Sequence, residues 1–205
     1  MAMLQVFLLV ASLLATPGQQ QGKQEEAGQA GQEKQEPAKP HLLPAEKEGG
    51  LPTDSKDHQA VLLGATSREA LLSHRAIFRD NTKHRDIKAD WAARWKAIDV
   101  PCTLVVAFGS WCSDSQAELP DLLALTKEPN PFVSIRYIGV YRDKKVEAAA
   151  WPSGVAPQAV EKVPTIWLFE LQPGGSQKLL GSIVETPPKG QRMAEAVLGL
   201  FSQAR

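Results

Sequence analysis

The folded part of this chain announces itself by a change in patterning near residue 61, where apolar residues begin to recur at structural periods. Ser67 can cap a helix running to about Asp80, with Leu71, Leu72, Ile77 and Phe78 inward. A second helical stretch, from about Ile87 to Ala97, spaces Ile87, Trp91, Trp95 and Ile98 on one face, and Pro101 ends it. Cys102-Thr-Leu-Val-Val-Ala-Phe108 is a continuous apolar, β-branched run, the pattern of a strand buried on both faces. Gly109-Ser110-Trp111-Cys112 turns from it into a helix over about Ser113 to Thr126. Phe132–Val140 and Thr165–Glu170 read as two more buried strands. Pro173-Gly174-Gly175 is a turn that returns Lys178–Glu185 as a hairpin partner. Met193, Val197, Leu200 and Phe201 form one face of a closing helix. Two parallel strands joined by a helix, followed by an antiparallel hairpin, imply an α/β fold with a mixed central sheet covered by helices on both faces.

The first 60 residues are different. Met3–Ala15 is an apolar run of a length that suits a secretory signal and is too short to span a bilayer, so 1–16 is read as a signal peptide, although no Lys or Arg precedes the run. No Cys follows it to carry a lipid. Residues 17–60 are rich in Gln, Glu, Lys, Gly and Pro and nearly free of aromatic and β-branched residues. Such a stretch cannot bury enough apolar area to offset the entropy of ordering, so it reads as a flexible tether. That leaves 61–205 as one domain, in an exported protein of the periplasm or extracellular space that keeps no membrane span once the signal is removed.

Charge narrows the function classes. The whole chain is neutral, and from Val61 onward 18 Lys and Arg face 15 Asp and Glu, a balance of +3 with no basic stripe. Nucleic acid is therefore not an expected partner. Two cysteines, Cys102 and Cys112, cannot make a disulfide scaffold or a thiolate-only zinc site, and the four histidines stop at residue 84. No metal or other cofactor is expected, and the domain reads as a monomer.

Cys112 is the chemical candidate. At a strand-to-helix corner the first helical N–H groups lack partners within the helix, and with the helix dipole they favour negative charge on the sulfur. Asp114, two residues on, works against this, and Trp111 would shield one side. Cys102, ten residues upstream at the far end of an extended strand, lies too far away to pair with it and reads as a small buried hydrophobe. Asp114, Glu118 and Asp121 read as surface acids favoured by the helix dipole.

The segment Trp111-Cys112-Ser113-Asp114-Ser115 after a strand, with Pro120 eight residues past the cysteine, resembles the thioredoxin family over roughly Val100–Arg205. Val163-Pro164-Thr165 before a strand is similar to that family's cis-proline loop. The Gly-Ser-Trp-Cys-x-Asp-Ser segment and the late Gly-Ser-Ile-Val-Glu resemble its exported bacterial members. The resemblance implies a thioredoxin-like fold, Cys112 as the reacting sulfur, and Trp111, Val163, Pro164 and Thr165 as the substrate-binding surround, with Ser113, Asp114 and Ser115 in support. Two positions depart from the family. Its second active-site cysteine is Ser115 here, and its buried carboxylate six residues before the first cysteine is Val106. A hydroxyl cannot resolve a mixed disulfide, and a site without a second thiol needs no base to deprotonate one. The expectation is a monothiol protein that exchanges disulfides with protein thiols or a small thiol. The alternative is a thioredoxin-fold module that binds peptides or proteins without turnover.

Overall fold

The computed structural model describes residues 51–204. The apolar leader and residues 17–50 of the polar stretch lie outside them. Five strands, β1 (Gly64–Thr66), β2 (Cys102–Phe108), β3 (Val133–Gly139), β4 (Thr165–Leu171) and β5 (Gln177–Val184), form one mixed sheet in the order β1-β3-β2-β4-β5. β2 and β3 are parallel, while β1 on β3, β4 on β2 and β5 on β4 are antiparallel. Every residue of β2 is buried, as its unbroken apolar run requires of a central strand. β1 carries no readable signal because it is only three residues long.

Five helices accompany the sheet: α1 (Arg68–His74), α2 (Ala76–Lys83), α3 (Ala89–Lys96), α4 (Ser113–Leu125) and α5 (Met193–Phe201). Ser67 caps α1, its Oγ accepting from the Ala70 N–H at 3.0 Å. The single helix expected to run to Asp80 is two helices. Arg75 is extended (φ −131°, ψ 132°) between them, because its guanidinium donates to Asp57 (2.9 Å) and to the Ala60 carbonyl (3.0 Å). These long-range bonds outweigh local helical preference. The break turns Ile77 outward, 43 % exposed rather than inward, while Leu71 and Phe78 are fully buried.

Helices do not cover both faces. Leu104, Val106 and Phe108 of β2 share one core with Leu71, Phe78, Trp91, Trp95, Leu119 and Val197, drawn from all five helices. The opposite face, with Val105, Ala107, Trp167 and Phe169, is covered by the connection between β3 and β4, through Val146, Ala150, Trp151, Val155, Val160 and Val163. That connection holds a single 3-10 turn, Ala148–Ala150. Pro152 and Pro157 deny it regular backbone donors. Gly154, at φ +77°, lies so close to the β4–β5 turn that a Cβ there would stand 2.6 Å from the Gly175 carbonyl oxygen. Trp151 is buried against Trp167, ring centroids 5.5 Å apart, and anchors the cover.

The polar stretch read as tether to residue 60 also stops short of that. Residues 51–60 pack on the domain: Thr53 and Ala60 form an antiparallel bridge, Asp54 N–H donates to the Gln59 carbonyl at 2.8 Å, and Asp54 is fully buried. Among the described residues no helix is long and apolar enough to cross a membrane.

Cys102 is buried and unpaired at the start of β2. Burial, helped by the nearby Glu170 carboxylate, pushes its thiol up from 9.0 to about 11. A raised value means the fold holds the proton more tightly than the unfolded chain does. The contribution is therefore intact below pH 9 and lost as pH rises toward 11. Urea midpoints measured across that interval should fall in the wild type and fall less steeply in Cys102→Ala. Parallel curves for the two proteins would contradict the assignment.

Candidate functional site

β2 ends at Phe108, and three residues later the chain enters α4 with Cys112 as its N-cap. Cys112 is half-buried, extended (φ −90°, ψ 126°), and its side chain caps no N–H of the helix. The turn is closed by the Cys112 N–H on the Gly109 carbonyl at 3.0 Å. Its sulfur instead donates to the carbonyl of Val163 at 3.3 Å. Val163–Pro164 is a cis peptide, and Val163, Pro164 and Thr165 are all buried. Two segments fifty-one residues apart in sequence thus meet at one sulfur.

The corner is held by its polar atoms. Buried Ser115, in the first turn of α4, accepts from the Gly109 N–H at 3.3 Å through Oγ. Ser110 Oγ accepts from the Leu62 N–H at 3.2 Å, and Gln116 Nε2 donates to the Ser110 carbonyl at 2.9 Å. Around Pro164, Thr165 Oγ1 donates to the Lys162 carbonyl at 2.7 Å and the Glu185 N–H donates to the Pro164 carbonyl at 2.6 Å. Lys162 and Glu185 form a surface ion pair beside this loop at 2.6 Å. Ser113 is exposed and Asp114 half-buried at the rim.

Trp111 immediately precedes Cys112 and packs, like it, against the second-face core. Its indole N–H donates to the Val140 carbonyl at 2.9 Å, and the Arg142 guanidinium stacks over its ring 4.4 Å from the centroid. The ring lies so close to Gly109 that a Cβ there would stand 2.7 Å from Trp111 Cε2, so only glycine fits. A groove of about 510 Å3 opens on the flank of this corner, between Trp111, Ser113 and Gln116 on one side and Asp57, His74 and Ile77 on the other. His74 Nε2 meets the Ala60 carbonyl at 2.9 Å, and burial holds its imidazole below the ordinary range despite that bond.

One of the three acids read as surface residues is buried. Asp121 forms an ion pair with Arg192 and accepts from the Ala194 N–H at 3.1 Å, so it caps α5 from a neighbouring helix. A carboxylate spaced on α4 to face the start of α5 is visible only once the two helices are packed. Sequence reasoning also missed Asp54 and Arg142, which pair through two hydrogen bonds. Among the described residues no cluster of three His, Cys, Asp or Glu side chains could hold a metal ion.

No family model matches the chain, and no curated protein matches it. Among solved structures, the chain is similar to an HIV epitope scaffold at 19% identity, over 67% of this chain and 86% of that one, with a TM-score of 0.45. It is similar also to a protein of unknown function from Pseudomonas aeruginosa at 18% identity, over 66% of this chain and 82% of that one, with a TM-score of 0.42.

Proposed function

We propose that this chain is a monothiol thioredoxin-like protein that takes part in thiol–disulfide exchange through Cys112, with Ser115 where a resolving thiol would stand. The observation that carries the reading is the 3.3 Å approach of the Cys112 sulfur, at the N-cap of a thirteen-residue helix, to the carbonyl preceding Pro164. In the proposed step the Cys112 thiolate attacks one sulfur of a partner disulfide. The partner's S–S bond breaks, a Cys112–partner disulfide forms, and the leaving thiolate takes a proton from solvent. Release needs a second thiol from outside the chain, either a protein thiol or a small one, because a serine hydroxyl cannot attack the mixed disulfide. An oxidising compartment, the destination read from residues 3–15, is where such partners persist.

A second reading, a binding module without turnover, is favoured by the groove beside Trp111 and Ser113, which could hold a peptide whatever Cys112 does. Intact-mass analysis after incubation with a peptide disulfide separates the two. The exchange reading expects one peptide adduct per wild-type chain, an unchanged adduct in Cys102→Ala and none in Cys112→Ala. Binding of the peptide that survives Cys112→Ser unchanged, with no adduct on the wild type, would establish the module instead.

A further inference from the structure

We infer that the 53–60 turn is a positioning device for the reactive corner: Asp54 holds the Arg142 guanidinium over the Trp111 indole and thereby fixes Trp111 beside Cys112. The consequence for exchange rests on the function proposed above; the positioning itself does not.

The inference starts from burial. Asp54 is fully buried, and a buried carboxylate must be matched by donors. It has four. Oδ1 accepts from Arg142 Nε at 2.6 Å. Oδ2 accepts from Arg142 Nη2 at 2.8 Å, from the Lys56 N–H at 3.1 Å and from the Asp57 N–H at 3.0 Å. The Arg142 contact, with the two N–H donors, holds the Asp54 carboxyl well below the usual carboxylate range. Two parallel bonds to one carboxylate fix the plane of the guanidinium as well as its position. A guanidinium whose plane is fixed can stack on an aromatic ring, which a lysine ammonium cannot do in the same way.

The guanidinium carbon lies over the Trp111 ring, 4.4 Å from its centroid. The indole is then held on three sides: by Arg142 over its face, by the Val140 carbonyl at its N–H, and by the bare Cα of Gly109 at its edge. Only the first of these comes from outside the β2–α4 turn and its β3 neighbour. It depends on Asp54, eighty-eight positions before Arg142 in sequence, in the stretch that composition assigns to a tether. Trp111 and Cys112 both pack against the second-face core, so a displaced Trp111 changes the packing at the reactive corner.

The test reads Trp111 directly. Its fluorescence is taken as the difference between a protein and its Trp111→Phe counterpart. Asp54→Asn keeps an oxygen for the Lys56 and Asp57 donors but cannot accept both Arg142 bonds. It should change the Trp111 emission and quicken modification of Cys112 by a small neutral disulfide, dithiodipyridine, several-fold. Arg142→Lys keeps a cation for the buried carboxylate, so the turn stays folded if Asp54→Asn does not. It should give the same change in emission, because the planar stack is lost. An emission change of equal size in the Trp111→Phe background, or wild-type emission in Arg142→Lys, would overturn the positioning role. Failure of Cys112 to take any adduct in the wild type would instead count against the exchange reading, and the emission difference would still decide this one.

Discussion

Replacing Ser115 by cysteine should convert a persistent mixed disulfide into a transient one. Wild-type protein treated with a peptide disulfide should keep the peptide through removal of excess reagent, since no thiol within the chain can displace it. In Ser115→Cys, the new thiolate attacks the Cys112 sulfur and the bond to the peptide breaks. An internal disulfide forms between Cys112 and the introduced thiol, and the peptide leaves as a thiol after taking a proton. The geometry is suitable. Cys112 is the N-cap and Ser115 the third helical residue of α4, three positions apart, the spacing at which side chains at a helix end are neighbours. The substitution loses little polar contact, because among the described residues the buried hydroxyl makes one bond, from the Gly109 N–H at 3.3 Å. Sulfur accepts that bond weakly, at a cost of about 1 kcal/mol. Mass analysis should find the peptide on nearly every wild-type chain and on almost no Ser115→Cys chain, with two thiols released per chain in the variant, one in each exchange, against one in the wild type. An adduct equally durable in both proteins would mean that Cys112 and residue 115 do not face each other as described.

Phe108→Ala is expected to cause the largest loss of stability, about 3–5 kcal/mol, which is a large part of the 5–15 kcal/mol typical of a whole domain. Phe108 is the last residue of β2, fully buried, with its ring edge-on to Phe78 at a centroid distance of 6.3 Å and an angle of 80°. Truncation removes the apolar contact and the aromatic pair together and leaves a cavity between the sheet and α2. The carbonyl of Phe108 also accepts from the Val140 N–H at 2.8 Å, and Gly109, beside it, forms the floor under Trp111. The same substitution should therefore disturb the corner that carries Cys112. Urea denaturation measures the loss as a lower midpoint at constant slope. A change below about 1 kcal/mol would mean that neighbouring side chains refill the space, and that Phe108 does not anchor α2 to the sheet.

What could be read in advance divides along physical lines. Nearly continuous apolar runs give β2 and β4 almost to the residue, because a strand buried on both faces has few compositional alternatives. Ser67 gives the start of α1 for a similarly local reason, a side-chain oxygen serving one orphan N–H. The corner at Cys112 was legible as a break from strand to helix. The unread features depend on partners far along the chain. Arg75 abandons the helix for Asp57 and Ala60, and Asp121 turns from surface acid to helix cap only when α5 arrives. Residues 51–60 look like tether by composition, but they are ordered by one buried carboxylate and an arginine in the β3–β4 connection. The helix-free second face was hidden for a different reason. Residues 142–163 are long enough for a helix, but the stretch holds a 3-10 turn at Ala148–Ala150, two prolines, and a Gly154 pressed against the hairpin turn.

The central claim is that Cys112 joins a partner's sulfur and cannot by itself let it go. The most direct measurement is intact mass with peptide mapping on the purified full chain, before and after incubation with oxidised glutathione, and again after the excess is removed. The account expects a single added glutathione, on Cys112 alone, that stays until a reducing thiol is supplied, with Cys102 unmodified throughout. An unmodified Cys112, modification of Cys102 in its place, or spontaneous loss of the adduct with formation of a Cys102–Cys112 disulfide would contradict it.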